Sequence, residues 1–321
     1  MKISRFHRPK LYLLIAIAAS FLMTLFEGRI NAYFFQILIY IGINITLASS
    51  LNLINGFAGQ FSLGHAGFMA IGAYTASLTT VTMQLSKDNP LMPILFALAL
   101  LCGGLMASFF GLLVGIPSLR LKGDYLAITT LGFGEIIRVI VQNLDFLGGA
   151  RGFTGIPKIA NSFWVFSSAA ILIFLIYNLM NSTYGKGFMA ISDDEIGAEA
   201  MGIDSTRYKV IAFVTGAFFA GIAGGLYAHF VTYINPSQFG FLKSIEIVVM
   251  VIIGGMGSIF GVIISAVLLT ILPEALRSIA EYRMVIYSLL LVIIMISRPQ
   301  GLFGRTRFFR AGLSALKSKA K

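Results

Sequence analysis

Charge is what this chain has least of. Only 12% of its 321 residues are Asp, Glu, Lys or Arg, against 57% hydrophobic, and the mean hydropathy is +0.88. A soluble domain of that length cannot cover itself with so few charged groups, so a soluble enzyme or scaffold is excluded and an all-α polytopic membrane protein is expected. The single cysteine, Cys102, sits in an apolar run, which excludes a disulfide and a cysteine-based metal site. His7, His65 and His229 are scattered without ligand spacing, so no metal site is expected. There is no G-x-x-x-x-G-K-[ST] loop to cradle ATP phosphates, so no cofactor is expected in the chain and any ATP-driven work must be borrowed. No nucleophile, paired acids or metal ligands converge, which leaves an intramembrane enzyme without its chemistry. No isolated acid marks the centre of a long span, where a proton- or sodium-coupled carrier would need one.

What the chain does have is apolar runs. About twenty apolar residues cross a bilayer as helix. On that ruler spans are expected near 11–26, 33–54, 63–85, 91–117, 125–147, 163–180, 210–232, 244–255, 258–272 and 284–297. The whole of 1–321 then reads as one membrane domain of about ten helices, some short or broken. The first run follows a basic start and could mimic a signal peptide, but is read as an uncleaved span. The runs at 244–255 and 258–272 are too short for two full crossings, with Gly254-Gly255-Met256-Gly257-Ser258 breaking the helix between them.

The net charge of +11 is confined to the ends. Residues 1–10 carry Lys2, Arg5, Arg8 and Lys10, and the basic tail 298–321 carries seven more, all without an acid. Basic flanks beside spans are topology signals and lipid contacts, not a nucleic-acid surface. With both termini on the cytoplasmic side, sixteen basic residues fall inside and seven outside, which favours an even number of crossings. In the tail, Leu302, Phe303, Phe308, Phe309, Leu313 and Leu316 interleave with Arg and Lys, as in an interfacial amphipathic helix or a plain basic end.

The longest polar interruption, 184–209, holds five of the thirteen acidic residues. Ser192 and Glu195 have capping-box spacing, and Gly202 offers a left-handed stop, so a short helix is expected over 193–201. Ile196, Ala200 and Met201 fall on one side of it. Nine residues do not hold a helix alone in water, so this one needs a surface to pack on and reads as a docking helix on the cytoplasmic side. A second interruption runs from Asn55 through Gln60 and Ser62 to His65. It reads either as a turn or as a broken helix whose polar groups line a pathway. Glu135 and Arg138, three apart on one helix, can neutralise each other or act in that pathway. Gly103-Gly104, Gly221 and Gly224-Gly225 read as close-packing positions between helices.

Ala198-Glu199-Ala200 with Gly202 resembles the coupling loop of ABC-importer permeases. DDEIGAEAMGID with Arg207, Lys209 and AFVTGAFFAGIAGGL, together with Leu51–Tyr74 and Gly123–Arg138, resembles the high-affinity branched-chain amino-acid permease family. The resemblance implies a bacterial inner-membrane subunit that translocates branched-chain amino acids, with urea or short amides as the alternative cargo. A self-contained carrier or channel is the competing class. The implied partners are two cytoplasmic ATPase subunits, a second related permease and an extracytoplasmic binding protein, and ATP is bound by the ATPases. The expected ATPase-coupling residues are Ser192, Asp193, Glu195, Ile196, Gly197, Glu199, Ala200, Met201 and Gly202. Asn55, Gln60, Ser62, His65, Glu135 and Arg138 are the candidate translocation path.

Overall fold

The computed structural model describes residues 4–29, 31–85, 90–118, 123–279, 288–289, 292–293 and 301. The basic tail, apart from residue 301, and most of the expected last span lie outside the described residues. Eleven α-helices are described: α1 (Ser4–Phe26), α2 (Ala32–Asn52), α3 (His65–Thr82), α4 (Met92–Ser118), α5 (Asp124–Gln142), α6 (Ser162–Asn181), α7 (Thr183–Asp193), α8 (Glu195–Ala200), α9 (Ser205–Val231), α10 (Phe241–Gly254) and α11 (Ile259–Ala275). No strand occurs among the described residues beyond one isolated bridge, Phe153 with Ile234. Five helical stretches are long and apolar enough to cross a membrane: Ala32–Phe57, Met92–Pro117, Ser162–Asn181, Ser205–Val231 and Pro236–Gly254.

Short polar residues start the helices where the sequence leaves amides unpaired. Asn31 accepts from Tyr33 N at 3.0 Å, Asn161 from Trp164 N at 3.3 Å, Asp204 from Arg207 N at 3.0 Å and Ser258 from Gly261 N at 3.1 Å. The centre of the fold is α9, which is apolar nearly all round and packs against α2, α3 and α4. Glycines set how close these helices come. A Cβ on Gly72 of α3 would stand 2.1 Å from the Gly221 carbonyl of α9, so the two backbones touch. Gly104 likewise admits the Phe218 ring, as expected of these small residues. Outside the core, α4 turns a stripe of Ile94, Leu98, Leu101, Leu105, Phe109, Leu112 and Ile116 outward, with the i+3/i+4 spacing of one helix face. Exposed apolar side chains on that scale fit a lipid surface.

Hydrogen bonds give the relative directions of the helices. Ser20 meets Ser167 at 3.0 Å and Thr24 meets Ser162 at 3.4 Å, so α1 and α6 run antiparallel. Tyr33 Oη donates to Glu274 at 2.6 Å, Asn44 to Thr270 at 2.9 Å, and Asn52 lies by Ser258, so α2 and α11 are antiparallel too. The chain thus has a Tyr33 end and an Asn52 end, about 30 Å apart along α2. The two short runs resolve unequally. α11 runs the full height beside α2, whereas α10, 14 residues long, spans only about 21 Å. It begins beside Glu135, midway along α5, because the Phe241 amide donates to Glu135 Oε1 at 3.0 Å.

Candidate functional site

Residues 183–200 form two helices, not the single one expected over 193–201. α7 occupies 183–193 and buries Gly185, Gly187, Phe188 and Ile191, an i+3/i+4 pattern within a stretch read as loop. The expected capping box at Ser192 and Glu195 is not formed. Ser192 lies within α7, and Asp194, extended at φ −158° and ψ 107°, is the cap instead. Its carboxylate oxygen accepts from Ile196 N and Gly197 N, both at 3.1 Å, because it sits directly before the free amides of α8. The stop falls where expected: Gly202 has φ +82°, Ile203 N donates to Ala198 O at 3.1 Å and Gly202 N to Glu199 O at 2.9 Å.

α8 has two distinct sides. Lys209, its side chain only 9% exposed, pairs with Glu195 at 2.7 Å, and the Ser205 hydroxyl donates to Glu199. Those two acids therefore tie α8 to α9, although Glu199 stays exposed. Ala198 is buried between them. Opposite, Ile196 is 73% exposed and Met201 83%, with Ala200 also bare. Two large apolar side chains left in the open on α8 and the residue that ends it form a surface that water disfavours. Asp193 ends α7 on the exposed side.

The second interruption is an irregular stretch between α2 and α3. After α2 the backbone widens into a π-turn over Leu53–Phe57 and runs without regular structure to α3. Asn55 holds it: its Oδ1 accepts from Ser62 N at 3.2 Å and its Nδ2 donates to Ser62 O at 3.4 Å. The break at 255–258 packs against this one. Asn52 Oδ1 accepts from Gly257 N at 2.9 Å, and no side chain fits on Gly56, where a Cβ would be 2.2 Å from Gly257 N. Asn52, the last residue of α2, thus satisfies backbone groups of the 255–258 break, the kind of internal pairing that non-helical backbone needs in an apolar surround. Gln60, Ser62 and His65 are 3%, 0% and 0% exposed. His65 Nε2 meets Ser50 Oγ at 2.8 Å, but the Gln60 amide, Ser62 Oγ and His65 Nδ1 find no partner among the described residues. The break also touches α7, since a Cβ on Gly59 would lie 3.1 Å from Ser192 Cα.

Glu135 and Arg138 lie elsewhere, in the cleft left by the late start of α10. They pair at 2.6 Å, and Lys243 pairs with Glu246 at 3.0 Å across the same space of about 550 Å³. Phe241, Leu242, Ser237, Gln238 and Gly240 complete the described lining. α5 connects cleft and break: Thr130 Oγ1 accepts from Leu63 N at 3.0 Å, and Gly134 abuts Gly67. Sequence reasoning named Glu135 and Arg138 and missed Lys243, although its i+3 spacing to Glu246 was available. No group of three or more His, Cys, Asp or Glu that could hold a metal occurs among the described residues.

Comparison with known proteins adds an independent line. The model of a family described as the permease component of branched-chain amino-acid transport systems matches residues 33–295. The high-affinity branched-chain amino acid transport system permease protein LivM of Escherichia coli is 37% identical over 300 residues, covering 83% of this chain and 68% of that protein. A probable branched-chain amino acid transport permease protein LivM of Methanocaldococcus jannaschii is 26% identical, covering 83% of this chain and 92% of its own. The E. coli LivH permease of the same kind of system is also 26% identical, covering 81% and 90%. No solved structure matches the chain.

Proposed function

Because the chain belongs to the permease family of branched-chain amino-acid transport systems, we propose that it is one membrane-spanning subunit of an ATP-driven importer carrying leucine, isoleucine or valine across the bacterial inner membrane. In this reading both termini and residues 184–209 lie in the cytoplasm, and the chain crosses about ten times. Energy comes from two ATPase subunits, because the chain has no phosphate-cradling loop of its own. A second related permease completes the pathway, an extracytoplasmic binding protein supplies the cargo, and the basic tail meets the lipid headgroups.

The observation that carries the coupling role is the two-sided α8. Glu195 and Glu199 hold it to α9, while Ile196 and Met201 are bare and in need of cover. An ATPase cleft closing on that face moves α8 and the adjoining α7, and Ser192 of α7 bears on Gly59 in the break. The break is then the part of the path that changes, with Asn55, Gln60, Ser62 and His65 on it, and the Glu135–Arg138 cleft lies beyond. A small apolar cargo suits a path with few unpaired charges, since each buried one is costly.

The test is uptake in cells with and without the ATPase subunits. Leucine uptake is expected to need them and to be blocked by vanadate, and a cysteine replacing Ala200 is expected to cross-link to an ATPase subunit. If that cysteine stays freely labelled in the assembled complex, α8 does not dock. If urea competes for uptake and leucine does not, the cargo is a short amide. Uptake without the ATPases would make the chain a self-contained carrier.

A further inference from the structure

We infer that the cleft between α5 and the start of α10 is a transient binding site for a zwitterionic α-amino acid with an apolar side chain, its carboxylate on Arg138, its ammonium on Glu246 and its side chain against Phe241 and Leu242. The inference rests on the reading of the chain as an amino-acid permease and adds the place and chemistry of recognition.

The charges of the cleft are balanced, two cations and two anions, each side chain between 22% and 37% exposed. With its charges balanced, the cleft offers neither a net anion nor a net cation a net attraction. A zwitterion alone finds an opposite charge for each end. The four groups also divide into holders and open hands. Glu135 uses both oxygens within the protein, Oε2 on Arg138 at 2.6 Å and Oε1 on the Phe241 amide at 3.0 Å. It is a positioning residue. Arg138 is bound only through Nε among the described residues, leaving its paired Nη groups to grip a carboxylate in two-pronged fashion. Lys243 is held by Glu246 Oε2 at 3.0 Å and Asn44 Oδ1 at 3.5 Å, which leaves Glu246 Oε1 without a partner among the described residues. The same cleft is lined by two bare apolar side chains, Phe241 at 43% and Leu242 at 81% exposure. A cleft of about 550 Å³ holds one small molecule. Charged at two points and apolar at a third, it has the outline of a free branched-chain amino acid.

The experiment uses the complete importer in proteoliposomes, with Cys102→Ala removing the native thiol and Leu242→Cys reporting on the cleft. Millimolar L-leucine is expected to slow maleimide labelling of the cysteine. Isocaproate, which lacks the ammonium, and isoamylamine, which lacks the carboxylate, are expected not to. Arg138→Gln and Glu246→Gln should each cut leucine uptake about tenfold, the size of one lost charge-assisted bond. Hydrolysis of ATP stimulated by loaded binding protein should persist, so that uptake per ATP falls. Equal protection by all three compounds, protection by none, or no labelling at all overturns the assignment, as does a parallel loss of uptake, hydrolysis and accumulated protein, which marks a structural clamp. The two levels separate cleanly: an unmodified importer that fails to take up leucine with ATP sinks the permease reading, whereas one that transports without protecting Leu242→Cys sinks only the cleft.

Discussion

Gly202 stands at φ +82° with nothing within 4 Å of where a side chain would begin. Within the chain, then, a substituent there meets no obstacle, and the cost of replacing it is conformational. A β-branched residue in the left-handed region costs about 1–2 kcal/mol, whereas asparagine enters it more readily. Gly202→Val is therefore expected to lower leucine uptake with the permease still inserted, while Gly202→Asn keeps most of it. Equal uptake in the two variants would show that the left-handed stop is dispensable. At this scale the sequence was a good guide to Gly202 and a poor one to the cap. Ser192, Asp193 and Asp194 are adjacent candidates, and spacing alone does not say that α7 runs through the first two. Nor does spacing reveal that Glu195 and Glu199 bond to α9, because their partners Lys209 and Ser205 belong to the next helix.

Among the elements, the two breaks set the character of the molecule. Asn55 and Gln60 lie five residues apart and differ in kind. Asn55 bonds both backbone groups of Ser62, while the Gln60 amide is buried without a partner among the described residues. Removing a partner from a buried polar group costs about 1–3 kcal/mol, whereas replacing an unpartnered amide by an apolar group of similar shape costs little. Asn55→Leu should lower the melting temperature of the purified permease. Gln60→Met should leave it unchanged or raise it, and should still reduce uptake if the amide meets cargo or water when the break opens. A stable Gln60→Met permease with full uptake would remove that residue from the path. The glycines announced both breaks in the sequence, but not that they meet. The bond from Gly257 N to Asn52 joins residues 205 apart, and no local pattern carries it. The short run at 244–255 announced a short α10, but not that it starts against Glu135 of α5.

For the whole molecule, the order of helices was legible because lipid demands long apolar runs. Nine of the expected runs coincide with described helices, and five described stretches are long and apolar enough to cross a membrane. Sidedness is a further matter. The Tyr33 end holds Glu274, with Arg277 over the Tyr33 ring at 5.2 Å. Gly301 lies at the other end, where a Cβ on it would be 2.5 Å from Gly255. Residues 279 and 301 therefore lie toward opposite ends of the fold. Reporter fusions after Lys321 and within 277–283 are expected to report opposite sides, and matching sides would refute the arrangement. The backbone contact between α3 and α9 carries one last implication. Where Gly72 faces Gly221 there are no rotamers to change and no methyl groups to slide, so the seam has no soft coordinate along which to yield. Those helices form the keel of the transporter, and the strokes of each cycle fall to the parts hung on it.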